Sequence, residues 1–233
     1  MITLYQFPAC WNVPNPSPYC MKVETYLRMA DLPYRVSEST NPGAAPMGKL
    51  PYIVDGDRTV ADSTFILEDL KARYGDSLND GLRPAQRATA HALKCMIEST
   101  LISVLIYTRW LDDRYWPHTR DAFGAMMMSP VVARPVLALL RRRTARFMHR
   151  HGLTRHPVAD IYKIGQWDLD ALADTIGEQD FMMGATPTEI DATAFAILAN
   201  ILWAPHDSPL QDHLKQRGNL VAYCERMKQR YYA

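Results

Sequence analysis

The sequence predicts two units in series, a small α/β unit followed by an all-α unit. Two observations predict this. Runs of β-type residues at 2–7, 34–36, 51–54 and 59–61 alternate with one amphipathic stretch, and no such run follows Arg83. From Pro84 onward the apolar residues instead recur at helical spacing, at Leu93, Met96, Ile97, Leu101, Val104, Leu105 and Leu111. Residues 75–83, with Gly, Asp and Asn, read as the linker. The expected units are residues 1–76 and residues 84–233.

Each element has its own signal. Residues 2–7 form the first strand, and 9–16 a loop containing Pro and Asn. Ser17 serves as N-cap with Pro18 as the first helical residue, a favoured order, and this helix runs to about Ala30. Tyr34-Arg35-Val36 is the second strand and Asn41-Pro42-Gly43 a loop. Residues 51–54 form the third strand, Asp55-Gly56 a hairpin turn, and 59–61 the fourth strand. Ser63 is expected to cap a helix to Tyr74 that ends at Gly75. A long helix is expected from Pro84 to about Trp116, with Thr108 on its apolar stripe. More follow near 131–150, 157–176, 189–202 and 219–231. Thr188-Glu189-Ile190-Asp191 is a start signal of the Ser/Thr-x-x-acid type.

Composition narrows the classes. Of 233 residues, 48% are hydrophobic and 22% charged, which fits a folded chain with a sizeable core. A formal net charge of +1 gives no reason to expect nucleic acid as partner. The basic stretch Arg141-Arg142-Arg143, Arg146, Arg150 and Arg155, interleaved with His149, His151 and His156, reads as a solvated helix face. The most apolar run, 101–106, is too short to cross a bilayer, and no signal peptide is visible, so no membrane span is expected. Four scattered cysteines point to a reducing, cytoplasmic setting. No His-Glu-x-x-His or paired Cys-x-x-Cys spacing occurs, and no metal is expected.

Three short segments carry chemistry. Ser17-Pro18-Tyr19-Cys20 follows a strand and opens a helix, where dithiol redox proteins place Cys-x-x-Cys. Serine in the first position cannot form a disulfide. Its hydroxyl can donate to a borrowed thiolate, and the helix N-terminus favours an anion at the same place. Glutathione is the candidate thiol. Leu50-Pro51 opens the third strand, where proline cannot donate to a ladder. A cis bond there would leave the Leu50 backbone free to pair with an extended peptide. Asp62-Ser63 begins the next helix, whose N-terminus and serine hydroxyl suit a carboxylate while Asp62 suits an ammonium. A γ-glutamyl group presents both. Each segment also has an ordinary structural explanation, and the functional reading rests on the set in this order.

With these residues in view, the chain resembles a cytosolic glutathione S-transferase of the serine type. The resemblance spans nearly the full length. It is carried by Gly48-Lys49-Leu50-Pro51-Tyr52-Ile53, Asp62-Ser63-Thr64-Phe65-Ile66 and Thr188-Glu189-Ile190-Asp191-Ala192-Thr193. Residues 18–29, Tyr107-Thr108-Arg109-Trp110-Leu111 and residues 219–226 are similar to the metaxin and failed-axon-connections subgroup. The resemblance implies a thioredoxin-like domain plus a helical domain, usually as a homodimer. It implies glutathione contacts at Ser17, Lys49, Leu50, Pro51, Asp62 and Ser63, with Ser17 as the catalytic hydroxyl. Trp11, Tyr107 and Trp110 are expected to line an apolar co-substrate pocket, with Trp116 and Met126-Met127-Met128 as further candidates. The expected function is conjugation of glutathione to a small electrophile. The alternatives are a non-catalytic adaptor of the metaxin kind and a glutathione-dependent reductase working through Cys10 or Cys20.

Overall fold

The structure, a computed structural model, describes residues 1–126 and 130–233. Its first unit is a four-stranded sheet in the order β2-β1-β3-β4. Strand β1 (Ile2–Gln6) runs through helix α1 (Pro18–Met29) into β2 (Tyr34–Glu38). The two strands pair in parallel, from Ile2 opposite Tyr34 to Gln6 opposite Glu38. Strand β3 (Tyr52–Asp55) returns antiparallel on the other side of β1, with Ile53 opposite Leu4. A turn at Gly56, which has φ of 66°, joins it to β4 (Arg58–Ala61). Helix α2 (Ser63–Tyr74) follows.

Strand periodicity of two puts Ile2, Leu4 and Ile53 on one face of the sheet. Val23, Tyr26 and Leu27 from α1 and Ile66, Leu67 and Leu70 from α2 join them in one buried cluster. The opposite sheet face carries Tyr5 and Tyr52, whose rings stack at 4.3 Å.

The second unit opens with a continuous 28-residue rod, Pro84–Leu111. It comprises α3 (Pro84–Met96), a π-helical stretch (Ile97–Leu101), α4 (Ile102–Ile106) and a second π-helical stretch (Tyr107–Leu111). By length and mean hydropathy alone this rod could span a membrane, which the sequence reading did not anticipate. Its apolar stripe of Leu93, Ile97, Leu101, Val104 and Leu105 packs into the helical core, while Ser99 and Thr100 face outward. The rod stops five residues earlier than expected. Asp112 takes extended backbone angles, and its side chain accepts the Arg114 N–H at 3.0 Å. This local bond competes with helix continuation. Helix α5 (Trp116–Ala125) then starts afresh with a proline in its first turn.

Helices α6 (Pro130–Arg150), α7 (Val158–Ile176), α8 (Glu189–Leu202), α9 (Pro209–Lys215) and α10 (Gly218–Tyr232) complete the chain. Helix α8 is buried from Ile190 to Leu202, as an almost wholly apolar sequence requires. Its N-terminus is the expected capping box, with Asp191 Oδ2 accepting from Thr188 N at 2.8 Å. Ala192 of α8 reaches the α/β core, and Met21 of α1 reaches the helical core. The two cores therefore meet across the α1–α8 contact. Helix α7 passes so close to its neighbours that a Cβ on Gly165 would lie 2.7 Å from Leu210 Cδ1.

Candidate functional site

A cleft of about 360 Å³ opens where α1, the start of β3, the start of α2 and the long rod converge. It brings together five residues singled out from the sequence, Lys49, Leu50, Pro51, Asp62 and Ser63. The Leu50-Pro51 peptide is cis. Asp62, with φ of 73°, is the N-cap of α2. Its Oδ1 accepts the Thr64 N–H at 2.9 Å. Ser63 was expected to be the cap and is instead the first helical residue. Its hydroxyl is therefore not used in capping. Ser63 is buried, and its Oγ lies 3.4 Å from the Nζ of buried Lys22. Lys22 Nζ also donates to Glu98 Oε1 at 2.7 Å.

Tyr19 and Glu98 line the same cleft, and neither was foreseen there. Burial, with the Glu98 and Asp62 carboxylates nearby, pushes the Tyr19 phenol up to about 12. It stays a protonated hydroxyl at neutral pH. Glu98 sits in the first π-helical stretch and Arg109 in the second. Each of these stretches carries a side chain that crosses to the α/β unit, in keeping with the frequent use of π-bulges at functional sites.

Ser17 caps α1, its Oγ accepting the Cys20 N–H at 3.4 Å. It is half-buried and lies at the α1 terminus rather than in the lining of the cleft. A buried polar network fixes it. Asn15 Oδ1 accepts the Ser17 N–H at 3.0 Å, while Asn15 Nδ2 donates to the Phe7 carbonyl at 2.6 Å. Asn200 Nδ2 donates to the Asn15 carbonyl at 3.1 Å. Arg109 donates to the Pro16 carbonyl at 2.7 Å and to Asn200 Oδ1 at 2.8 Å. The loop before Ser17 is thus clamped by the helical unit. Arg109 is buried with no carboxylate beside it among the described residues, and burial lowers its pKa to about 9.

The three co-substrate candidates separate into two places. Trp11 and Trp110 both approach Phe123, at 5.9 and 5.6 Å between ring centroids. Phe7 meets Phe123 at 5.9 Å and also packs against the Cys20–Leu50 cluster. These aromatics therefore run from the Ser17 loop to the last turn of α5. Trp116 joins them through Trp110 at 5.6 Å. Tyr107 faces elsewhere. It is buried against Tyr162 and lines a separate cavity of about 390 Å³ with Arg141 and Arg142. Met126 follows α5, and Met127 and Met128 lie outside the described residues. Arg141 is not simply solvated, since it donates to the Trp110 carbonyl at 2.8 Å.

Neither candidate thiol is poised for exchange. Cys20 is fully buried, and burial pushes its thiol up to about 12 against the opposing effect of the Ser17 hydrogen bond. Desolvation likewise raises Cys10 to about 11, with Arg109 pulling the other way. Thiolate is the reactive form, so both are weak nucleophiles as placed.

The Asn15–Arg109–Asn200 clamp and the Lys22–Glu98 pair were not assigned roles from the sequence. Only Lys22 and Arg109 had a signal, since both fall inside segments that carried the subgroup resemblance.

Comparison with known proteins places this geometry in a family. Residues 18–115 match the model of the glutathione S-transferase N-terminal domain, and residues 165–227 that of the glutathione S-transferase C-terminal domain. The chain is 32% identical to the isoprene-epoxide–glutathione S-transferase of Rhodococcus sp. (strain AD45), over 99% of both chains. It is 29% identical to Failed axon connections of Drosophila melanogaster, covering all of this chain and 58% of that protein. It is 28% identical to human metaxin-2, covering 91% of this chain and 81% of that one. Among solved structures, the β-etherase LigF from Sphingobium sp. strain SYK-6 superposes with a TM-score of 0.66 at 17% identity, covering 97% and 94% of the two chains. A glutathione S-transferase from Methylobacterium radiotolerans in complex with glutathione sulfonate gives 0.64 at 17% identity, covering 97% and 90%. The fold is a thioredoxin-like α/β domain followed by an all-α domain, and the chain belongs to the glutathione S-transferase superfamily as a metaxin-like member.

Proposed function

We propose that the protein binds glutathione in the cleft between its two units and conjugates it to a small, largely apolar electrophile. One observation carries the reading. Lys49, Leu50, cis Pro51, Asp62 and Ser63, from two neighbouring segments, line one cleft beside the helix that Ser17 opens. In this reading the γ-glutamyl end lies at Asp62 and Ser63, and the cysteinyl backbone pairs with Leu50. The sulfur lies toward Ser17, whose hydroxyl donates to the thiolate. The thiolate attacks an electrophilic carbon, the carbon–leaving-group bond breaks, and the leaving group takes the electron pair and later a proton. Phe7, Trp11, Trp110 and Phe123 would cover the electrophile. The likeness to an enzyme named for an isoprene epoxide makes a small epoxide the first electrophile to offer. There the leaving group is the ring oxygen, retained as an alkoxide and then protonated.

The relatives named metaxin and Failed axon connections favour a second reading, a binding protein without turnover. Calorimetric titration with glutathione, with thiolate absorbance followed against pH, separates the two. Binding with a lowered thiol pKa and epoxide-dependent loss of the thiol supports the transferase. Glutathione binding without either supports the binding protein, and no binding overturns the glutathione reading. We further propose a domain division at residues 76 and 84, a homodimer and a cytoplasmic setting. The free state of Cys10, Cys20, Cys95 and Cys224 is in keeping with the last.

A further inference from the structure

The charge of the chain is not spread evenly. Between Asp121 and Asp160 stand seven arginines and no Asp, Glu or Lys. Against a formal net charge of +1 for the whole chain, these arginines leave six net negative charges on the rest. Most of this stretch is α6, which falls between the segments that match the two family models, residues 18–115 and 165–227. Neither model accounts for it.

Helix α6 is held to the body of the protein along one narrow line. Ala133, Leu137 and Met148 are buried on that line. Arg141 lies on it too and donates to the Trp110 carbonyl at 2.8 Å and the Leu111 carbonyl at 3.2 Å. These contacts fix which way the rest of the helix faces. Val136, Leu139, Leu140 and Phe147 recur at helical spacing on an outward side, where Leu139 is 48% and Phe147 56% exposed. Arg143 and Arg150 fall within this apolar strip, and Arg142 and Arg146 border it. All four arginines are exposed, and among the described residues none of them meets a carboxylate, whereas Arg141 pairs with Asp113.

We propose that this outward face of α6 docks on the surface of an anionic phospholipid bilayer. Two features must be met by one occupant, a run of uncompensated guanidiniums and an exposed apolar strip among them. Nucleic acid would meet the arginines and leave the leucines and Phe147 in water. A second copy meeting the first through the same face would set arginine against arginine. An anionic bilayer meets both. Its headgroups pair with the guanidiniums, and the apolar side chains enter the boundary between headgroups and acyl chains. The helix lies in the plane of that boundary and does not cross it. The acidic remainder of the chain, repelled by the same surface, fixes the orientation of the docked protein.

The test is co-sedimentation of the full chain with two kinds of vesicle, phosphatidylcholine alone and an equimolar mixture of phosphatidylcholine and phosphatidylglycerol. The anionic vesicles should carry the protein down and the neutral ones should not, and added salt should weaken the binding. Arg143→Gln combined with Arg146→Gln should reduce affinity for the anionic vesicles about twentyfold or more. Phe147→Ser, which leaves the charge unchanged, should reduce it about fivefold or more. All three side chains are exposed, so the thermal melts of these variants should match that of the unmodified protein. Arg58→Gln, which removes an exposed arginine from the α/β unit, should leave vesicle binding nearly unchanged. No binding to the anionic vesicles, equal binding to the neutral ones, or an equal loss in Arg58→Gln overturns the proposal. Binding that Phe147→Ser leaves unchanged also overturns it, and assigns the arginines to a soluble polyanion instead.

Discussion

The Ser17 N–H donates to Asn15 Oδ1 at 3.0 Å, and Asn15 is held in turn by a helix of the other unit, through the 3.1 Å bond from Asn200 to its carbonyl. The hydroxyl proposed to meet the thiolate is therefore placed by α8, almost two hundred residues away in sequence. Helix α8 has little freedom to move, since it is buried along nearly its whole length. A rigid element positions a loop, and the loop positions the chemistry.

Asn200→Ala should show this dependence. The change removes the donor to Asn15 and one acceptor of the Arg109 guanidinium, leaving both groups buried. A loss of about 1–3 kcal/mol in urea unfolding is expected for buried partners left unsatisfied. If glutathione is conjugated, turnover should fall more than glutathione affinity, because the γ-glutamyl end is held elsewhere. A destabilised variant with unchanged turnover would leave Asn200 a purely structural residue.

Ser17→Ala tests the hydroxyl itself. Its Oγ accepts a rather long bond from Cys20 N, at 3.4 Å, and a hydroxyl that accepts can still donate its own hydrogen. The variant should raise the pKa of bound glutathione by about one unit, equivalent to about 1.4 kcal/mol, and slow conjugation with affinity nearly intact. Loss of the cap adds about 1 kcal/mol of destabilisation. Thiolate absorbance against pH reads the first effect and thermal melting the second. An unmoved thiol pKa would reduce Ser17 to a helix cap.

The α/β unit was legible because its signals are local. Ser17-Pro18 and Asp55-Gly56 each set a turn or a helix start within a few residues, as Thr188 through Asp191 does in the helical unit. The cleft residues Lys49 to Pro51 and Asp62-Ser63 were legible as two adjoining segments. What was missed depends on contacts across the chain. The clamp joins Asn15, Arg109 and Asn200, and no local pattern marks an arginine that will be buried against a carbonyl and an amide. The break at Asp112 was missed because the helical apolar spacing continues past it, while a side-chain bond to Arg114 N ends the helix. Helix α9 was missed because its seven residues are too few to show a period.

Asp62 and Ser63 should separate cleanly by mutation. Asp62 is the residue that caps α2, so Asp62→Ala should cost about 0.5–2 kcal/mol of stability. Ser63→Ala removes no capping bond, and its effect on stability comes only through the long 3.4 Å contact from buried Lys22. Its expected cost is in ligand binding, about tenfold in glutathione affinity for a lost charge-assisted hydrogen bond. Thermal melts and titration of both variants check the pair. The reverse pattern would return Ser63 to the role of cap.

The cysteines should react in order of exposure. Cys95 is exposed, whereas Cys20 and Cys224 are fully buried with thiols raised by desolvation. With a disulfide reagent at pH 8, Cys95 should label first in the folded protein and Cys10 slowly. Cys20 and Cys224 should label only after unfolding. Peptide mapping of the labelled sites checks the order. Fast labelling of Cys20 in the folded protein would revive a reductase mechanism through that thiol.

His206 should make the protein acid-sensitive. It is 3% exposed, lies 3.3 Å from Thr119 Oγ1 and packs against Trp11 at 5.0 Å. Burial, together with the positive charges of Arg109 and His118, lowers its pKa from 6.5 to about 3. The unfolded chain therefore takes up a proton near pH 6.5 that the folded chain refuses until near pH 3. Over that window the unfolded state binds more protons, so stability falls as pH falls, by up to about 1.4 kcal/mol per unit. Above pH 6.5 both states hold the imidazole neutral and the dependence vanishes. His206→Gln should flatten this part of the profile while leaving the dependence contributed by the carboxylates. Urea unfolding of both proteins at pH 7.5, 6 and 5 measures the difference. Parallel profiles for the two would mean that His206 is protonated in the folded state and that the Trp11 side of the aromatic cluster admits water.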